Sequence, residues 1–512
     1  MHLTLGLHRA VRHQPNNIAT IFGDRRQTFR ELADRVARLA GALQALGAKP
    51  DDRIAILALN SDRFLEYYLA VWWAGCAVNP VNTRWAVPEI VYSLDDSTSS
   101  ILFVDKAYSP MVDAIRTGTK SLNHIIYIDD DEAPAGTLRY EEILRNAEPV
   151  EDAYRKGDDT CGIFYTGGTT GFPKGVILSH TNLGVPSMIF LCEEYGFGDV
   201  VLHTSAMFHA APLLFIIAQL LNGGRHVIIP GFDPKAVVEV IRTERVTDAL
   251  LVPSMVQVMV NHPSTPTGDF SSLKRIWYGG STIPEAVQRK ALDMFKPSGL
   301  VQLYGMTEIP VSSLLSPAFH APEKGKLRST GRAAQENEIK IADEEGREVP
   351  RGVVGEVVVR GLNVMKGYLN KPEETAKTIR NGWLHTGDAA YMDDEGFIFI
   401  ADRIKDMIVT GGENVYAAEV ENAIATHPSV AAVAVIGVPD ERWGEGIHAV
   451  IVLKAGAAEF SNDELRKHCR AVIAGYKCPR SVEFTDALPL SAFGKVTKNV
   501  LRERHKAKLA TV

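Results

Sequence analysis

The chain has 512 residues, more than one hydrophobic core usually holds, so at least two domains are expected. Its 46% hydrophobic and 23% charged residues are those of an ordinary globular protein, and 55 Lys+Arg against 62 Asp+Glu leave a formal charge of −7. That balance excludes an overall basic footprint for nucleic acid, while a local basic patch for a phosphorylated ligand stays open. Five cysteines (Cys76, Cys161, Cys192, Cys469 and Cys478) lack CxxC spacing, which argues for free thiols in a reducing compartment and against a zinc site built on them.

The N-terminal MHLTLGLHRAVRHQPNN has no apolar stretch followed by a small-residue cleavage site, so no secretory signal is expected and a cytoplasmic location follows by default. RIAILAL from Arg53 reads as a strand, and Ser61 caps the next helix, whose Phe64, Tyr68, Leu69 and Trp72 predict one apolar face. ILFVD at Ile101 and HIIYID at His124 continue the strand series. Between Asp199 and Arg225 there is no acidic or basic residue, but Thr204, Ser205, His209, Pro212, Gln219 and Asn222 interrupt the apolar run. It falls short of the roughly 20 residues of a membrane span and predicts a buried helix, so no integral membrane segment is expected.

ALLVP at Ala249, RIWYGG at Arg275 and VQLYG at Val301 add strands separated by helical patterns, which predicts a layered α/β architecture with largely parallel sheets. After Gly352 the texture changes, because GEVVVRG and EGFIFIADR read as antiparallel strands joined by charged turns. Beyond Asp402 follow a helix in EVENAIATH, strands in VAAVAVIGV and HAVIVLK, a helix in NDELRKHCRAVIA and a strand in SVEF. The expected division is a large N-terminal domain over 1–401 and a small α+β domain over 402–512.

The strongest local signal is YTGGTTGFPKGVILSH, Tyr165 to His180, between two strand-like runs. Thr166, Gly167, Gly168, Thr169, Thr170 and Gly171 would let backbone N–H groups and hydroxyls face a polyphosphate, with Lys174 adding a positive charge. Lys174 follows Pro173 and precedes Gly175, so the loop is not the Gly-Lys-Ser/Thr kind. YGMTE (Tyr304 to Glu308), LHTGDAAYMDDEGFIFIADRIKDMIVTGGENVYAAEVE (Leu384 to Glu421) and PLSAFGKVTKNVLRE, with Lys495 after a glycine, follow in order.

With these four motifs the chain resembles the adenylate-forming superfamily: acyl-CoA synthetases, luciferase-like enzymes and peptide-synthetase adenylation domains. The resemblance implies a mobile small domain and an ATP-dependent carboxylate–CoA ligase. The acid and ATP would form an acyl-adenylate, then a CoA thioester, releasing AMP and pyrophosphate. Lys495 would stabilise charge at the α-phosphate, and Glu308, with the Thr166 hydroxyl, would hold Mg²⁺. Tyr304 would stack on adenine, Gly280 and Ser281 would line the base beside Gly305 and Met306, and Thr307 would reach the AMP phosphate. Asp388 would accept from both ribose hydroxyls, and Arg403 would also contact the ribose.

By the same resemblance Asp402 is the hinge. Rotation about it would present Gly411 and Gly412 to the thiol tunnel, with Trp443, Gly444, Tyr476 and Lys477 toward CoA. His209 in AMFHAAP would stand beside the acyl carboxylate. MFHA has no Asp for an α-amino group, which disfavours an amino-acid substrate. Two departures are Ala417 for a usual proline, expected to loosen that loop, and Phe493 in FGK for the usual serine. Trp277, Tyr278, Met306, Ile309, Pro310 and Val311 are candidate pocket residues, and the acid remains open among aryl, arylpropenoic and fatty types. Loading of a carrier protein, a luciferase-like oxygenase and association as a homodimer also stay open.

Overall fold

The computed structural model describes residues 1–166, 173–192, 194–281, 283–296, 298–403, 406–410, 413–440, 442–491 and 496–510. Among the described residues the strands build four sheets. The first has nine strands, in the order Arg332–Ala333, Ile309–Leu315, Gly299–Met306, Arg275–Gly279, Asp248–Leu250, Val200–His203, Arg225–Ile228, Ile18–Phe22 and Arg25–Thr28. From Gly299–Met306 to Ile18–Phe22 its neighbours are parallel. Antiparallel pairs close both edges.

The second sheet has eight strands and is parallel from Thr160–Thr166 through Ala77–Pro80, Arg53–Leu57, Ile101–Val104 and His124–Tyr127 to Leu138–Arg139. Such strands are covered on both faces, which is why they read as continuous apolar runs rather than alternating ones. The third sheet is antiparallel and joins Asn337–Ala342, Gly355–Gly361, Trp383–Met392, Ile379–Arg380 and Ile398–Arg403. The parallel-rich α/β architecture expected from sequence is therefore observed, with the antiparallel change where the composition shifts.

Between the two large sheets lies the helix Asp62–Trp73, capped by Ser61, whose side chain accepts from Phe64 N at 3.2 Å. The expected single apolar face is corrected: all twelve residues of this helix are buried. It touches Ile18–Phe22 of one sheet, Arg53–Leu57 and Ala77–Pro80 of the other, and the helix Phe29–Ala45. Its buried charges are paired: Glu66 accepts from Arg35 Nε at 2.7 Å and from the Tyr140 hydroxyl at 2.5 Å, while Arg25 grips Asp62 at 2.6 Å. Buried charge is tolerated only with such partners.

The apolar stretch after Asp199 divides into the strand Val200–His203 and the buried helix Ala210–Asn222, which ends on Gly223 at φ 78°. No helix among the described residues is long and apolar enough to cross a membrane.

The C-terminal domain carries the fourth sheet: Glu413–Val415, Ile408–Thr410, Gly444–Leu453 and Val430–Asp440, with Ser481–Phe484 parallel to Gly444–Leu453. Its own core includes Ile408, Val420, Ile424, Val435, Ile447 and Ile451. Ala417 opens the helix Ala417–Ala425 and is fully buried, so the missing proline leaves an ordinary helix start rather than a loosened loop. A helix Lys498–Ala510 follows the last motif.

Candidate active site

The strands Thr160–Thr166 and Lys174–Ser179 pair antiparallel with Thr166 opposite Lys174, so the Gly/Thr-rich segment is the connection of a hairpin. Gly167, Gly168, Thr169, Thr170 and Gly171 lie outside the described residues. The hairpin is anchored before the connection: the Tyr165 hydroxyl donates to Asp96 at 2.7 Å, and Asp96 also accepts from Asn370. The Thr166 hydroxyl faces Lys174 O at 3.5 Å, at the edge of hydrogen-bond range.

The second hairpin, Gly299–Met306 with Ile309–Leu315, turns at Thr307 and Glu308. Glu308 is 5% exposed, and its Oε1 accepts from the Tyr368 hydroxyl at 2.7 Å. Burial, with Glu308 beside it, raises the Tyr368 pKa, so the phenol stays protonated and donates. Lys174 Nζ lies 5.1 Å from the centre of the Tyr368 ring and 2.6 Å from Glu374. Lys174 holds the Glu374 carboxyl down at about 2, chiefly through that hydrogen bond and with help from Lys377. Lys174, Tyr368 and Glu308 thus form one connected chain beside the first hairpin. Tyr368 gave no signal in the sequence, because its partner is 60 residues away.

The Tyr304 hydroxyl donates to Asp388 Oδ2 at 2.7 Å, so the structure brings these two together through a direct bond. Asp388 is 6% exposed, its N–H donates to Thr386 Oγ1, and its backbone is the ladder partner of Arg403, whose side chain lies outside the described set. Tyr304, Gly305, Met306 and Thr307 are half-buried in succession. Gly280 and Ser281 leave the end of the neighbouring strand, Gly280 at φ 87°, a conformation that L side chains resist. At Gly279 a Cβ would stand 2.2 Å from Leu303 O, so glycine there lets the two strands approach.

His209 is the cap residue of the helix Ala210–Asn222 and packs on Phe208 with ring centres 4.1 Å apart. Trp277 is fully buried among Phe190, Phe215 and Phe197, at 5.1, 5.4 and 5.8 Å. Its Nε1 donates to Asp248 Oδ1 at 2.8 Å. Tyr278 points to the opposite face of the same strand, into a different core, with its hydroxyl against Gln302 and His320. The expectation that Trp277 and Tyr278 line one pocket is therefore corrected by strand alternation.

In the small domain, Trp443 follows the strand Val430–Asp440, with the Arg480 and Arg442 guanidiniums 4.4 and 4.8 Å from its ring centre. Lys477 pairs with Glu419 at 2.8 Å, and Tyr476 is exposed. Around Asp402, Ala418 N donates to Oδ2 at 3.3 Å, Lys498 pairs with Glu421 at 2.9 Å and Arg502 with Asp406 at 2.8 Å. Burial alone would lower the Lys498 pKa, but Glu421, Asp402 and Asp406 outweigh it and raise it. Arg84 of the large domain donates to Ser491 O at 2.6 Å. Lys495, Phe493, Gly411 and Gly412 lie outside the described residues.

The family model for the AMP-binding enzyme matches residues 7–369, and that for the AMP-binding enzyme C-terminal domain matches residues 419–495. The chain belongs to the AMP-binding enzyme family. It is 39% identical to a feruloyl-CoA synthase of Amycolatopsis sp, over 97% of this chain and 97% of that one. An indoleacetate–CoA ligase of Aromatoleum aromaticum is 35% identical, with 98% of each covered. A solved o-succinylbenzoate CoA synthetase from Bacillus subtilis, in complex with its acyl-adenylate intermediate, superposes with a TM-score of 0.84. It shares 30% identity, over 97% of each chain. Among its relatives in the AMP-binding enzyme family this chain falls with the acyl- and aryl-CoA ligases, which are AMP-forming acid–thiol ligases using ATP and CoA.

Proposed function

We propose that this ligase activates an aromatic or arylpropenoic carboxylic acid, using the residues grouped around Glu308 and Asp388. The observation that carries the site assignment is the chain from Lys174 through Tyr368 to Glu308, beside the hairpin that supplies the Gly/Thr-rich segment. A carboxylate oxygen attacks the α-phosphorus of ATP, the bond to the β-phosphate breaks, and pyrophosphate leaves with that electron pair. The CoA thiol loses its proton and its sulfur attacks the acyl carbon, expelling AMP. Positioning and charge stabilisation carry both steps.

Lys495 is assigned to the charge at the α-phosphate. Asp388 is assigned to the ribose, where Tyr304 orients its carboxylate. Glu308 fits a magnesium ion: it is a hard oxygen donor, Tyr368 fixes Oε1, and no bond among the described residues takes Oε2. The ion would neutralise polyphosphate charge, with Glu308 and the Thr166 hydroxyl as its protein ligands.

The feruloyl and indoleacetate ligases among the relatives support an aryl acid over a fatty one. Trp443 with Arg442 and Arg480 offers stacking and cations suited to a nucleotide-bearing thiol, which favours free CoA over a carrier protein. The hinge is assigned to Asp402, beside Ala418 and Lys498 of the small domain. Five free cysteines fit a cytoplasmic setting. A pyrophosphate-release screen over aryl, arylpropenoic, medium- and long-chain acids, with and without CoA, tests the substrate assignment. Highest kcat/KM with an aryl class supports it, and highest kcat/KM with a long-chain acid overturns it.

A further inference from the structure

The C-terminal domain holds a second cluster of chemistry-bearing side chains that the ligase reaction does not use. His448 lies on the strand Gly444–Leu453, Glu483 on the parallel neighbour Ser481–Phe484, and His505 on the helix Lys498–Ala510 that covers them. Each offers one ligand atom, and the three atoms lie within 4.8 Å of one another. Among the described residues this is the one group of three His, Cys, Asp or Glu side chains so placed.

His448 is 3% exposed, and its Nε2 is buried with no hydrogen-bond partner. That nitrogen points at Glu483 Oε2, 3.7 Å away, while the His505 ring centre stands 4.4 Å from its own. A buried imidazole nitrogen without a partner costs free energy, which a bound ion would recover. The other nitrogen, Nδ1, is held by the Ser481 hydroxyl at 2.7 Å. This is the outer contact that fixes the orientation of a metal-ligating histidine. Lys508 occupies Glu483 Oε1 at 2.6 Å and leaves Oε2 to face the histidines.

We propose that His448, Glu483 and His505 bind a divalent transition-metal ion, Zn²⁺ being the best match, which staples the C-terminal helix to the sheet. Two imidazoles and one carboxylate suit zinc, and ligand bonds of about 2.0–2.2 Å put neighbouring ligand atoms roughly 3.3 Å apart in a tetrahedron. The 3.7 Å pair is already near that spacing, and the half-buried His505 has room to complete it. Water would fill the fourth position. The helix begins three residues after Lys495 in the sequence.

The test uses the untagged full chain, stripped with a chelator, without magnesium, and titrated with Zn²⁺ against a chromophoric competitor near neutral pH. Wild type should take up one equivalent. His505→Ala and Glu483→Gln should weaken uptake by about 100-fold or more, and Ser481→Ala by about 10-fold. The Co²⁺-loaded wild type should show visible ligand-field bands without a thiolate charge-transfer band, which separates this site from the buried Cys469 and Cys478. No uptake by wild type, unchanged uptake by His505→Ala, or a thiolate band would overturn the proposal.

Discussion

Tyr368→Phe removes one oxygen from the candidate site and leaves the ring in place. The lost bond joins a phenol 8% exposed to a carboxylate 5% exposed, at 2.7 Å. A hydrogen bond to a charged group contributes about 1.5–3 kcal/mol. At about 1.4 kcal/mol per decade this is a roughly 10- to 100-fold loss, if Glu308 acts only when its carboxylate is correctly aimed. The ring stays under Lys174, so the Lys174–Glu374 pair should survive. Acid-dependent exchange of labelled pyrophosphate into ATP reads the first half-reaction. It should fall by that factor, and the Mg²⁺ concentration for half-maximal rate should rise. Conversion of supplied acyl-AMP and CoA to thioester should stay within about twofold of wild type, since Glu308 is assigned to the adenylation step alone. Equal losses in both half-reactions, or an unchanged magnesium requirement, would refute the reasoning.

Lys495→Ala should lose adenylation by about 10²–10³-fold, as for one preorganised donor, and retain thioester formation from supplied acyl-AMP; single-turnover assays of each step check this. Asp402→Pro fixes φ near −65° and removes an N–H, so it should keep one domain orientation and fail in the other. Bound acyl-AMP should accumulate while CoA turns over slowly, measured by quench and mass spectrometry. Burial pushes the Glu336 carboxyl up from its ordinary 4.5 to about 7, and its Oε2 has no partner. The folded chain then binds more protons at this group than the unfolded chain between those values, so stability falls as pH rises through that window. Glu336→Gln should therefore raise the unfolding midpoint at pH 8 and change it little at pH 5, by calorimetry.

The candidate site residues were legible where they sit in short runs. Tyr304 to Glu308 run from the end of one strand into the next turn, and Thr166 and Lys174 end and begin paired strands, so glycine and strand patterns marked these runs without tertiary knowledge. Long-range partners were not legible. Nothing in the sequence links Tyr368 to Glu308 or Tyr304 to Asp388, since the first bond depends on how the second sheet meets the first, and the second on how the third sheet meets it. Trp277 and Tyr278 were misread together because adjacency in sequence means opposite faces in a strand. The helix Asp62–Trp73 looked one-sided because Asp62, Arg63 and Glu66 are charged; their partners Arg25, Asp130 and Arg35 come from other segments. His448, Glu483 and His505 were missed for the same reason, being spread over two strands and a helix with no ligand spacing.

The central claim is that the acid is activated through an adenylate and delivered to CoA. Purified chain, an aryl acid, ATP, Mg²⁺ and CoA should be run to partial completion and the products resolved by mass spectrometry and nucleotide chromatography. The account requires acyl-CoA, AMP and pyrophosphate in equal amounts, with acyl-AMP on the enzyme when CoA is omitted. ADP and phosphate in their place would contradict it.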